Sequence, residues 1–333
     1  MNTQPRIVFL RRVALHLGIA LIATIFAVPA SASEGYDALR ALDARLAGVA
    51  ERLMTANVGL CENLMPATGL VLHSRDQYPA PDPAWFTHGN LAVAAVVPGS
   101  AADRAGIRAD DAVLSIAGSR VSELVRSGDS PARDLAFDRL ANQPVGQQLV
   151  LTIERTGVPR DVAIVAPEAC RLLVEVLSSD KPMARSDGKV LQVSSALASS
   201  VDDNGLAVVV AHELAHAVMA HRRRLEAAGV SKGLFGEFGR NQQLNRVVEV
   251  EADLLSVHLL ANAGLDPLLA EAFWRSAVGR KVGGGLMRSW TYPSASARGD
   301  LVGTEARHYL PLGAHPTMPM HLLRLRDRSF TEM

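Results

Sequence analysis

Between residues 36 and 58 apolar side chains recur in steps of three and four, at Tyr36, Leu39, Leu42, Leu46, Val49 and Leu53. That period predicts an amphipathic helix that lays its stripe on the body of the protein, with Arg40, Asp43, Arg45, Glu51 and Arg52 mostly on the other face. The pattern then changes. A short apolar run at 91–97, a turn and helical turn at 98–107, and a second turn and strand at 110–118 precede a helix around 132–142 and strands at 148–155 and 161–166. Short runs bounded by turn residues read as strands. Two more strands, 172–177 and 190–194, open a last segment that is helical almost to its end. The expected fold is α+β: an amphipathic helix (33–60), a β-rich domain (61–170) and a mainly helical domain (171–333).

The 333 residues are enough for two ordinary domains, and 48% hydrophobic with 20% charged residues is a globular balance. With 34 basic and 34 acidic side chains the net charge is zero, which leaves no basic footprint for nucleic acid. Residues 1–32 read as a secretory signal peptide: Arg6, Arg11 and Arg12 precede an apolar run, and Ala30-Ser31-Ala32 offers a cleavage site. Its removal leaves 34 − 3 = 31 basic against 34 acidic residues, a net charge of −3. No later segment is long and apolar enough to span a bilayer, so a periplasmic or otherwise exported protein without a stable membrane anchor is expected. Export permits a disulfide, and Cys61 and Cys170 are the sole pair. They fall just outside the two ends of the β-rich domain, where a bridge would clasp its base.

The chemistry begins at Asp202 or Asp203, either of which can cap a helix predicted over 206–225. Inside it stands His212-Glu213-Leu214-Ala215-His216. Two histidines four apart share a helix face, so both imidazoles can reach one metal ion, with Glu213 between them as a candidate general base. Apolar neighbours on both sides bury the helix, and buried histidines beside a glutamate are costly unless something satisfies them. The third ligand comes from Glu249-Val250-Glu251-Ala252-Asp253 in a second apolar helix. Glu249 and Asp253 share a face at i and i+4 while Glu251 points away. Glu249 is assigned to the metal, Asp253 to a ligand histidine as hydrogen-bond acceptor, and Glu251 to solvent.

These paired motifs, with "HP" at His315-Pro316, resemble the HtpX/BepA-type metallopeptidases, gluzincins related to the CAAX prenyl proteases. The resemblance covers roughly residues 171–326. It implies one Zn2+ per chain held by His212, His216 and Glu249, and a water activated by the metal with Glu213 as base. The implied substrates are proteins or peptides, in envelope protein quality control. His315 would polarise the scissile carbonyl or cover the metal at rest. Two departures stand out: Met183-Ala184 replaces the family's frequent Asn-Ala on the edge strand, and His321 stands where the terminal arginine of "HPxxxxR" would be.

Residues 68–166 resemble a PDZ domain through Pro98-Gly99-Ser100, the helical turn after it and the strand after Asp110-Asp111, with Ala109-Asp110 in place of the usual Pro-Gly. Gly69, Leu70, Val71 and Leu72 are the candidate peptide-binding loop by that resemblance, for unfolded or C-terminal segments. The competing reading is a PDZ-based peptide-binding or chaperone-like protein with a mainly structural metal; a structural zinc is usually closed by four side chains, which disfavours it. His221 is expected off the ligand face, Arg222-Arg223-Arg224 in solvent at a helix end, and Gly283-Gly284-Gly285 in flexible chain.

Overall fold

The computed structural model describes residues 30–78, 83–123, 132–186, 189–230, 240–283, 293–310 and 316–330. Most of the signal segment, Gly284 and Gly285, and His315 lie outside the described residues. The periodic stripe at the start forms helix α1 (Ala30–Ala56). Leu46 and Leu53 are fully buried in the main core, and Leu39, Leu42 and Val49 pack against it.

After α1 come β1 (Leu64–Pro66), β2 (Leu70–Ser74), β3 (Leu91–Val96), α2 (Ala101–Arg104), β4 (Ala112–Ile116), β5 (Ser119–Arg120), α3 (Ala132–Ala141), β6 (Gln148–Arg155), β7 (Val158–Val165) and β8 (Glu168–Cys170). Five of these strands form an antiparallel sheet in the order β2-β3-β4-β6-β7, with β5 paired to β4. Its inner face and α3 enclose a second core around Leu72, Val93, Ile116, Phe137, Leu151 and Ile164. The alternation in β6, where Leu149, Leu151 and Ile153 turn inward, is the period-2 signal of a strand with one wet face. Asp110 takes the left-handed backbone (φ 67°), the conformation a glycine would supply most easily. Its carboxylate accepts a hydrogen bond from Arg40 at 2.9 Å, which ties this turn to α1.

The chain enters and leaves this β-rich part at one place. β1 and β8 pair antiparallel, Leu64 opposite Cys170, and a disulfide joins Cys61 to Cys170. Beyond it follow β9 (Leu173–Leu177), β10 (Ala184–Ser186), β11 (Val190–Ser194), α4 (Ser195–Ser200), α5 (Asp203–Val218), α6 (His221–Ala227), α7 (Arg240–Asn262), α8 (Leu269–Arg275), α9 (Ala277–Gly283), α10 (Ala295–Tyr309) and α11 (Met320–Arg326). β9 and β11 are parallel, and β10 runs antiparallel on the outer side of β11. Among the described residues no helix is long and apolar enough to cross a membrane.

The polar flank of α1 reaches past its own helix to the rest of the chain. Arg40 donates to the Ala94 carbonyl, Arg45 to those of Ala198 and Val201, and Arg52 to those of Ala263 and Gly264. Arginine's long apolar stem lets it lie along the body while its head finds backbone acceptors. Asp43 accepts the Val176 N–H of β9 at 2.6 Å. Burial pushes its carboxyl up from 3.8 to about 7, against the pull of that N–H and of Arg133. A folded-state value above the unfolded one means that the folded chain retains the proton. This contribution to stability is therefore lost as pH rises from about 4 to 7, and is flat above. Asp43→Asn should stabilise the chain by about 4 kcal/mol at pH 8 and have little effect at pH 4. Equal shifts in urea midpoint at the two pH values would refute this.

Candidate metal centre

Helix α5 starts where the Asp202 side chain accepts the Gly205 N–H at 2.8 Å, satisfying one of the unpaired donors of a helix start. After its exposed first turn, Leu206 to Ala211 are buried. A helix apolar all round sits inside a protein, so His212 and His216 are carried inward by their neighbours. Helix α7 packs across α5 and presents Glu249 and Asp253 from one face, one turn apart.

The structure brings His212, His216 and Glu249 together. His212 Nε2 and His216 Nε2 are 3.2 Å apart, and the Glu249 carboxylate lies 3.4 Å from the first and 3.6 Å from the second. Glu213 is half-buried and lines an open cleft with His212, Glu249, Trp274 and Arg298. Ala184 of the edge strand β10 borders the same cleft.

Each histidine is oriented from behind. Asp253 accepts from His212 Nδ1 at 3.1 Å and is clamped by Arg298, whose Nε and Nη2 donate at 2.6 and 2.7 Å. Arg298 in turn stacks on Trp274 at 3.5 Å. On the other side His221 Nδ1 lies 2.9 Å from His216 Nδ1, while its Nε2 reaches Glu251 at 3.0 Å. Glu251 also takes two bonds from Arg224, at 2.5 and 3.2 Å, and Arg224 lies over the Phe330 ring.

With both imidazoles neutral, the second relay has one hydrogen pattern. Burial, countered by its two partners, leaves the Glu251 carboxyl below its ordinary value, so it only accepts and His221 Nε2 carries hydrogen. Burial also lowers the pKa of His221, leaving Nδ1 a bare acceptor that takes its hydrogen from His216 Nδ1. His216, lowered further by burial, then turns the lone pair of Nε2 toward His212 and Glu249. Burial opposes charge on His212 as well, but Asp253 and Glu249 prevail and push it up to about 9. Glu249, despite burial, is held below the carboxylate range by His212 and His216. The space between these three groups therefore demands a positive charge. Two imidazole nitrogens and a carboxylate are the donor set of a catalytic zinc, which takes three protein ligands, so the residues fit the ion.

Four expectations are corrected. The helix predicted over 206–225 is broken, because Ala220 adopts the left-handed conformation (φ 51°, ψ 36°) and α6 restarts at His221. That turn swings His221 back to His216, so it is not off the ligand face. Arg224 is buried, while Arg222 and Arg223 remain at the surface, paired with Glu226 and Glu62. Glu251 is 4% exposed rather than solvated. Arg298 went unnoticed because its signal, one arginine between Ala297 and Gly299 in a helix of small residues, points to close packing but not to a partner.

Arg298→Ala leaves the buried Asp253 with His212 as its remaining side-chain partner and should cost about 3 kcal/mol in chelated protein. Asp253→Asn in the same background should recover part of that loss, because the two residues act as one unit. Strictly additive losses in urea unfolding would show that the clamp is not a coupled pair.

No protein-family model matches the chain. It is similar to the mitochondrial metalloendopeptidase OMA1 of Schizosaccharomyces pombe, 30% identical over 131 residues. That stretch covers 33% of this chain and 39% of the relative, so this chain spans well under half of that protein's length.

Proposed function

We propose that this chain is an exported zinc-dependent endopeptidase, with His212, His216 and Glu249 as metal ligands and Glu213 as general base. The observation that carries the reading is the convergence of the three ligand atoms beside Glu213 on an open cleft. Similarity to a metalloendopeptidase supports it. The disulfide supports export, since such bonds persist in oxidising compartments. A zinc ion held there would polarise a scissile carbonyl and ease the ionisation of water.

The chain's own residues supply the rest. Glu213 takes the proton from the attacking water and returns it to the leaving amine. Asp253 and His221 hold the two ring nitrogens that face away from the ligand position, fixing tautomer and ring angle. An extended substrate would lie along the outer edge of β10 as an added strand, bringing its carbonyl past Ala184 into the cleft. Phe273, Trp274 and Val282 make one wall of the cleft apolar, which favours an apolar substrate side chain there. The role of His315, polarising the carbonyl or covering the metal, rests on the sequence alone.

The β-rich part is read as a PDZ module that receives unfolded or C-terminal segments. Gly69 supports this reading: its φ is +75° and a Cβ would lie 2.1 Å from that of Ser100, so the loop before β2 admits no side chain. Leu70 and Val71 border a cleft with Phe137 and Leu140 of α3. Acting in envelope protein quality control belongs to the same proposal.

The test is casein degradation by the zinc-loaded chain against zinc-loaded Glu213→Gln. Turnover should fall at least about 100-fold in the variant while bound zinc is unchanged. Two proteins that bind zinc and leave casein intact would favour a peptide-binding protein. No zinc in either would overturn the ligand assignment.

A further inference from the structure

His258 lies nine residues beyond Glu249 on α7, half a revolution round the helix and about 13 Å along it. It therefore faces away from the centre described above. It is buried, and it meets Glu305 of α10 and His321 of α11. The three ligand-type atoms lie within 4.8 Å of one another.

The hydrogen count around His258 is informative. Asn262 Nδ2 donates to Asn57 Oδ1 and to the Thr317 carbonyl, so Asn262 Oδ1 is turned toward Thr317. That oxygen accepts both the Thr317 N–H at 2.6 Å and the Thr317 hydroxyl at 3.1 Å. With the hydroxyl hydrogen directed to Asn262, a lone pair of Thr317 Oγ1 faces His258 Nδ1, 3.2 Å away, which places the hydrogen of a neutral His258 on Nδ1. The lone pair of that ring then sits on Nε2, pointing at Glu305 Oε1 3.0 Å away, with His321 Nε2 2.7 Å from the same oxygen. In this arrangement two acceptors face each other in a buried site, and a cation between them resolves the conflict.

We propose that His258, Glu305 and His321 form a second divalent-metal site of the zinc type, which braces α11 against α7 and α10. The donors are two imidazoles and one carboxylate, a set that zinc accepts with a fourth position left for water. Thr317 serves His258 as a metal-bound imidazole is usually served, by an acceptor at its other nitrogen. The ring of Tyr309 stacks on His321 at 4.0 Å and 14°, setting its plane. His258 and Glu305 are shielded from water, whereas the His321 side chain is 33% exposed and gives an ion its way in. Ligands of one tetrahedral zinc stand about 3.3 Å apart, near the 3.0 and 2.7 Å that separate the two imidazole nitrogens from Glu305 Oε1.

The experiment is zinc stoichiometry on the full chain, by elemental analysis after loading with zinc alone and gel filtration. The parent should hold two zinc ions per chain, and His321→Ala one. His212→Ala with His216→Ala should also hold one, and zinc should raise the melting temperature of that double variant but not of the triple variant that adds His321→Ala. A parent with one zinc, or two that persist in both His321→Ala and Glu305→Gln, would overturn the proposal. In the first case the cation is a proton on His258, and the cluster is a hydrogen-bonded ion pair. His321 is at the surface and its replacement leaves the core intact, so a binding loss there is not a folding loss.

Discussion

Two imidazoles and a carboxylate crowd into one small volume between α5 and α7, and the centre of this protein is organised around keeping them there. A cluster of this kind repels itself or collapses unless a positive charge sits among its members. The surrounding groups are arranged to hold the members in position and leave the charge to an ion. Asp253 takes the outer hydrogen of His212 and is held by Arg298; His221 takes that of His216 and is held by Glu251 and Arg224. The two relays approach from opposite sides and end in aromatic rings, Trp274 and Phe330. Both terminal arginines have their charge compensated at one end and their flat face covered at the other, which is how a guanidinium is buried at least cost.

The same economy explains why α1 matters to a site it does not touch. It lies against α5 and β9 on one part of the molecule and against β2 and β3 on the other. Its arginines supply hydrogens to carbonyls at the ends of α4 and α7, whose acceptors would otherwise be left to water. Leu173 belongs to the margins of both apolar cores, and Arg133 of α3 pairs with Glu175 of β9. The β-rich part and the helical part thus meet along a seam of mixed apolar and charged contacts, with α1 as backing.

What could be read from the sequence followed the reach of each signal. Periodicity placed α1 closely, and the local pattern also gave α3, β6 and β11, since helices and short strands between turns are written into neighbouring residues. The i, i+4 rule brought out His212 with His216 and Glu249 with Asp253, because each pair lies on a single helix. Beyond Asp253, the relays were illegible for the opposite reason. His221 comes back to His216 only because Ala220, an alanine with no reason of its own to be left-handed, breaks the helix there. Glu251 was sent to solvent on helical phase alone, without sight of Arg224, twenty-seven residues earlier, that neutralises it. Arg298 and the His258–Glu305–His321 group draw members from separate helices, and no local pattern announces such meetings.

The clasp at Cys61 and Cys170 has one more implication. The two Cα atoms at the threshold of the β-rich part are 5.5 Å apart, and β1 and β8 run side by side just inside. A gap of that size is closed by one or two residues of chain. The more than one hundred residues between the cysteines therefore leave and return through one narrow gate, while the seam with α1 and β9 fixes how they lie once through it. The backbone path of the rest could close without them, but their removal would bare the face of α1 and the part of the main core that Met65, Ala67 and Ala141 now cover.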